Sequence, residues 1–253
     1  MFPYPFSFVS PQASGLSLVD NNFSMEFDSV DRSKLVVNPT LSFNLSTSSF
    51  SFNIWFNIQD YALGSFRTNY AFLTNFGLSP QMNFVYGREA GNIAFRRYGA
   101  SSTQKPYFYS LGYDADSGGS STAKTWSPSG VNQTGFDSNT WYMCTVVIES
   151  PSDTGGNRNK VSYYINGPNS VFSQNPFVLY STHTSLGFTG LWNNIAASID
   201  VYGIIVDETS IFNYALTSDD IKAIYDATND NTGKTADLNS MATPPVAWYR
   251  MGD

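Results

Sequence analysis

The sequence predicts an all-β protein carrying one short helix, and three observations predict it. Aromatic residues make up 16% of the 253 positions and charged residues only 13%. Ser, Thr, Asn, Phe and Tyr stand where a helical protein carries Ala, Glu, Lys and Leu. The segment FSFNIWFNI alternates with period two, and SIDVYGIIVDETSIFNYALTSDDIKAIYDA runs a β-branched apolar stretch into a capped helix. A chain of this length is an ordinary size for a single all-β sandwich.

In residues 50–58, Phe50, Phe52, Ile54 and Phe56 fall on one face and Ser51, Asn53, Trp55 and Asn57 on the other. The first face is core. Trp55 interrupts the second, which points to a covering loop or the second sheet rather than a ligand platform. Val161, Tyr163 and Ile165 alternate with Ser162, Tyr164 and Asn166, and Asn166 with Gly167 supplies a hairpin turn. The apolar run at residues 141–148 is a further strand, with Cys144 inside it as a buried, inert thiol. Ile204, Ile205 and Val206 begin another, resumed at residues 210–212 after the polar pair Asp207 and Glu208.

Thr217 and Asp220 have the spacing of a capping box, so a helix starts near Ser218. Ile221, Ile224 and Tyr225 then recur at i, i+3 and i+4, a single apolar stripe laid on something else. Residues 114–130, 150–160 and 229–243 read as polar loops or tail. The first twenty residues, with Pro3, Pro5 and Pro11 among aromatics, read as an extended arm. Phe2, Tyr4, Phe6 and Phe8 call for burial, either as an anchor on a neighbour or on the arm's own domain.

The wording VDETSIFNYALTSDDIKAIYDA resembles the closing segment of laminin-G-like, concanavalin A-like lectin and glucanase domains. Asp207, Glu208, Phe212, Asn213, Ala215, Leu216, Ile221 and Tyr225 carry the match. NNFSMEFDSVDRSKLVV, SSFSFNIWFNI, and NTWYMCTVVIE followed by VSYYINGPNS arrive in that family's order. The resemblance implies a two-sheet antiparallel jelly roll over residues 21–228, after an arm at 1–20. Residues 229–253 follow as a polar tail in which PPVAWYRMGD is either a closing strand or the opening of a further module. Domains of this kind occur in phage and viral structural proteins, and they often carry calcium near a sandwich edge.

Charge narrows the partners. The formal net charge is −7, with 13 basic against 20 acidic residues, and Arg96 with Arg97 is the only basic pair. Without a basic stripe there is no phosphate-neutralising contribution, so nucleic acid and anionic membranes are disfavoured. No apolar run is long enough to span a bilayer, a single cysteine allows no internal disulfide, and the N-terminus shows no signal-peptide pattern. A β-rich chain made without an export signal fits a virion or phage-tail component on the particle exterior. An extracellular or bacterial surface protein is the alternative.

The sandwich architecture is shared with hydrolases that face two carboxylates across a cleft. None of Glu26, Glu89, Glu149 and Glu208 lies in an E-x-D-x-x-E strand. Asp207 and Glu208 are adjacent, which in a regular strand puts them on opposite faces, as turn and rim residues satisfying backbone amides. His183, the only histidine, sits in a polar stretch with no assembled triad, so the chain reads as non-enzymatic. Asp114 and Asp116 in DADSGG imitate the start of a calcium loop but lack its third acidic ligand and terminal glutamate, and Asp28 and Asp31 are a second, weaker calcium option that turn formation explains more simply. Tyr107, Tyr109, Trp126 and Trp192, with Asn193 and Asn194, are the candidate glycan contacts, against the alternative of buried loop anchors. The expected role is a virion structural protein, a capsid decoration or a tail or fibre component. Its partners would be other virion proteins, a second copy of itself, and surface glycans. A carbohydrate-binding module of a longer bacterial surface or secreted protein comes second, and a glycoside hydrolase third.

Overall fold

The computed structural model describes residues 16–21, 24–27, 34–44, 46–59, 69–76, 94–97, 107–113, 121–126, 136–155, 159–167, 177–181, 185–195, 204–228 and 234–251. The early strands are β1 (Leu18–Asp20), β2 (Met25–Phe27), β3 (Lys34–Asn44), β4 (Phe50–Ile58), β5 (Asn69–Phe76), β6 (Ala94–Arg97), β7 (Tyr107–Tyr113) and β8 (Ser121–Trp126). There follow β9 (Trp141–Glu149), helix α1 (Pro151–Thr154), β10 (Asn159–Ile165), β11 (Phe177–Ser181), β12 (Ser185–Ile195) and β13 (Ile204–Phe212). Helix α2 (Ser218–Thr228), β14 (Lys234–Ala236), a 3-10 turn (Leu238–Ser240) and β15 (Ala247–Tyr249) complete the order.

The protein is all-β, a two-sheet antiparallel jelly-roll sandwich, and the strand order shows how. One half runs β15, β13, β4, β9, β10, β11, with β2 also on β13. The other runs β7, β6, β5, β12, β3, with β8 on β7. The chain alternates between them: β3 lies in the second half, β4 in the first, β5 to β8 in the second, β9 to β11 in the first, β12 in the second, β13 in the first. Among the described residues, one antiparallel pairing, Tyr180 with Tyr113, joins the halves along the edge. Phe43 of β3 stacks on Phe50 of β4, with centroids 4.7 Å apart and planes 11° from parallel, so the second half meets the inner face of the first.

That inner face is the core predicted by alternation. Phe50, Phe52, Ile54, Phe56 and Ile58 pack with Tyr142, Cys144, Val146 and Ile148 of β9, with Val161, Tyr163 and Ile165 of β10, and with Ile204, Val206 and Ile211 of β13. Phe136 closes one end edge-on to Phe56 at 5.3 Å. Burial raises the Cys144 thiol far above its ordinary range, which keeps it neutral.

The outer face of the same sheet is buried too. All nine residues of β4 are buried, Ser51, Asn53 and Asn57 included, because α2 and the chain after it cover them. Trp55, Met143, Val147 and Phe212 meet Ile221, Ile224 and Ala227 of α2, then Ala236, Leu238 and Met241. The covering of Trp55 is thus helix and tail. The helix starts as the capping box requires: Thr217 Oγ1 accepts from the Asp220 amide at 3.1 Å, and Asp220 Oδ2 accepts from the Thr217 amide at 2.9 Å.

Three readings of the loops are corrected. The stretch 114–130 contains strand β8, paired in register with β7 from Phe108 opposite Trp126 to Tyr113 opposite Ser121. Its Ser, Thr and Gly composition hid a strand whose hydrogen bonds come from a partner rather than from its own sequence pattern. The polar tail 229–243 supplies β14 and the 3-10 turn, because Ala236, Leu238 and Met241 find an apolar seat under α2. Asn166 and Gly167 both adopt left-handed conformations, with φ of 53° and 88°, yet β11 begins only at Phe177. They open a longer connection instead of closing a two-residue hairpin. Asn166 is pinned to Met143, donating its amide to the carbonyl at 2.9 Å and accepting the Met143 amide on Oδ1 at 2.9 Å.

Candidate functional site

The densest group of buried charge among the described residues sits on β13. Its pairing with β4 runs regularly from Ile204 opposite Ile58 to Asp207 opposite Trp55, then resumes at Ser210 opposite Asn53. Two residues on β13, Glu208 and Thr209, thus stand against the one residue Ile54 on β4, which is a β-bulge, and Glu208 takes a left-handed φ of 47° within it. Alternation therefore fails there. Asp207 and Glu208 do not occupy opposite faces as adjacent strand residues would; both reach the covered side, where β1, β14 and β15 meet β13.

Every carboxylate oxygen of the pair is engaged. Asp207 Oδ2 accepts from Asn21 Nδ2 at 2.9 Å and Oδ1 accepts from the Glu208 amide at 2.8 Å. Glu208 Oε1 accepts from Thr235 Oγ1 at 3.0 Å and faces Arg250 Nε at 3.5 Å, while Oε2 accepts from Trp248 Nε1 at 2.6 Å. The Arg250 guanidinium lies 5.2 Å from the centre of the Trp248 ring, a cation–π contact, and Nη2 donates to the Asp20 carbonyl. The expectation that the pair satisfies backbone amides holds for one oxygen. The other three are bound by side chains from three segments distant in sequence.

Burial dominates the electrostatics. It pushes Asp207 up to about 7, with Glu208's charge raising it further and with the Asn21 bond, the Glu208 amide and Arg250 opposing. Glu208 is also raised by burial, against the Trp248 and Thr235 bonds and Arg250. A carboxyl shifted this far has the protonation range of a general acid or base. Its oxygens, however, are committed to holding strands, at 7% exposure for Asp207 and 4% for Glu208.

The residues singled out for ligand binding are dispersed. Tyr107 and Tyr109 lie on β7, paired with Arg96 and Ala94 of β6, and Trp126 ends β8 opposite Phe108. Alternation places position 126 on the sheet face opposite positions 107 and 109. Trp192, Asn193 and Asn194 lie on β12, three strands from β7 along the sheet, roughly 14 Å at ordinary strand spacing. All six are strand residues, not loop residues, and they form no single cluster by register. Asp114 and Asp116, the arm residues Phe2, Tyr4, Phe6 and Phe8, and Asp28, Asp31, Glu89 and His183 lie outside the described residues. Among the described residues, no three His, Cys, Asp or Glu side chains group as a cation site. No described helix is long and apolar enough to cross a membrane.

Alternation misses the β13 cluster because it assumes a regular strand. The usable signal was the pair Asp207 and Glu208 embedded in an otherwise apolar strand, which demands internal partners if buried.

No protein-family model matches the sequence, and no curated protein matches it. Among solved structures, the chain is similar to the receptor-binding domain of botulinum neurotoxin type G, at 11% identity and a TM-score of 0.36, over 80% of this chain and 46% of that one. It is also similar to the alginate lyase AlyA1 from Zobellia galactanivorans, at 15% identity and a TM-score of 0.42, over 68% of this chain and 64% of that one. The alginate lyase Aly36B matches at 14% identity and a TM-score of 0.40, over 74% of this chain and 81% of that one. The chain spans about half the length of the toxin domain it matches. Binding domains and enzymes stand side by side in this set, and likenesses of this size assign neither role.

Proposed function

We propose that this chain is a non-enzymatic binding and assembly module, a structural component of a virion exterior such as a capsid decoration or a tail or fibre protein. The observation that carries the non-enzymatic half is the commitment of all four Asp207 and Glu208 oxygens to internal donors. A catalytic carboxyl pair leaves oxygens open to a substrate, and this pair spends them on holding strands. The virion assignment is supported by the Asn-, Ser- and Tyr-rich β composition, the acidic net charge and the aromatic N-terminal arm. Glycans on a host surface are the proposed ligands of the second half of the sandwich, with Tyr107 and Tyr109 one strand alternation apart on β7 as the stacking pair.

Light scattering after size exclusion, with and without calcium, tests assembly, and a glycan array tests binding. A stable oligomer together with loss of particle incorporation on deleting residues 1–15 supports the virion reading. A calcium-indifferent monomer that binds glycans through Tyr107 and Tyr109 replaces it with a carbohydrate-binding module. Release of reducing sugar from a polysaccharide panel overturns the non-enzymatic reading altogether.

A further inference from the structure

The elements that converge on the bulge are too short to hold themselves. β1 pairs with β14 over three residues, Leu18 to Asp20, and β15 pairs with β13 over three, Ala247 to Tyr249. Beside the apolar seats of Ala236, Ala247, Trp248 and Tyr249, they are held by the side-chain set around Asp207 and Glu208: Asn21 directly after β1, Thr235 within β14, Trp248 within β15 and Arg250 just past it. Arg250 also ties β15 to β1 through the Asp20 carbonyl.

We propose that Asp207, Glu208 and Arg250 form a proton-operated clasp, which holds the β1/β14 ribbon and β15 on the sandwich while Asp207 is protonated and loosens both when it ionises.

The charge count sets the direction. With both carboxyls ionised, two buried negative charges face one guanidinium, and the surplus charge has no buried counterion among the described residues. Lys234 of β14 and Asp20 of β1 pair with each other at 3.3 Å, and their side chains are 45% and 77% exposed, so they are screened from the cluster. Glu26 of β2 is exposed, and the β4 neighbours Trp55 and Asn57 carry no charge. A proton on Asp207 removes the surplus. It also provides a donor beside Asn21, whose buried Oδ1 accepts no hydrogen bond. Burial, the main cause of the rise of Asp207 to about 7, places the change in the neutral range. The sign follows from linkage. Because the closed form binds the proton more tightly, closure is fully favoured below the ordinary aspartate range and is lost as pH rises through the closed-state value.

Hydrogen exchange of the full chain from pH 5 to 8, corrected for intrinsic exchange, tests this. In the wild type, protection of residues 16–21 and 245–251 should fall about tenfold per pH unit between pH 5 and 7 and then level off. Protection of β4 and β9 should stay constant. Asp207→Asn, neutral at every pH, should keep the terminal strands protected throughout. Flat wild-type protection, or an unchanged slope in D207N, overturns the clasp. If D207N does not fold, carbon-13 titration of the assigned Asp207 carboxyl in the wild type decides. A midpoint shared with the loss of protection supports the clasp, and separate midpoints overturn it.

Discussion

Trp55 of β4 lies flat against Tyr225 of α2, with ring centroids 5.8 Å apart and planes 3° from parallel. On β4 this face otherwise presents Ser51, Asn53 and Asn57, so the stack is that strand's apolar contact with the helix, beside the meeting of Met143, Val147 and Phe212 with Ile221, Ile224 and Ala227. Trp55→Ala should cost about 3–5 kcal/mol in urea denaturation. Trp55→Phe, which keeps a ring, should cost markedly less. Equal losses would mean that the stack contributes little.

Gly167 sits against the same tyrosine. A Cβ there would lie 3.3 Å from Tyr225 Cδ1, on a backbone with φ of +88°. At Gly155, φ is +68° and a Cβ meets nothing within 4 Å. Gly155→Ala should therefore cost only the left-handed backbone penalty, about 1 kcal/mol, while Gly167→Ala should cost more because the crowding adds to it. Thermal melts of the two variants give the comparison, and reversing their order would contradict the Tyr225 contact.

The Thr217 cap is local and exposed, so its effect is easily isolated. Thr217→Ala removes the acceptor for the Asp220 amide and should destabilise by about 1 kcal/mol, whereas Thr217→Ser should be close to neutral.

Overall stability should carry the Asp207 signature. The folded state holds its carboxyl up to about 7, so its contribution is complete below the unfolded value and declines as pH rises towards neutrality. Asp207→Asn should gain stability relative to wild type between pH 5 and 8, read from denaturation midpoints at each pH. A difference independent of pH would show that Asp207 is ionised throughout.

Cys144 should resist thiol reagents in the native protein and react fully on unfolding, because it is buried and held neutral. Fast native labelling would place it at an opening in the sheet.

Strand β4, the helix beginning at Ser218, the Thr217 and Asp220 cap and the buried thiol were legible from residue order alone. Period two, period 3.6 and the capping pattern are local properties, determined by backbone geometry within a few residues. Strand β8 and the seat of the 229–243 segment were not, since Ser and Thr become strand only when a neighbour such as β7 offers its ladder. The six proposed ligand contacts illustrate the same limit. Their residue types suggested a glycan surface, but register distributes them across both faces of β7 and β8 and onto β12.

Asp207 and Glu208 mark the division most sharply. The sequence by itself determined that two acids interrupt an apolar strand, and with it the need for partners wherever that strand is buried. Only the tertiary structure decided that they share a side, through an extra residue at Glu208, and that Asn21, Thr235, Trp248 and Arg250 answer them. A bulge depends on the register of two strands about 150 residues apart in the chain, and long-range register is not encoded in the spacing of either strand alone.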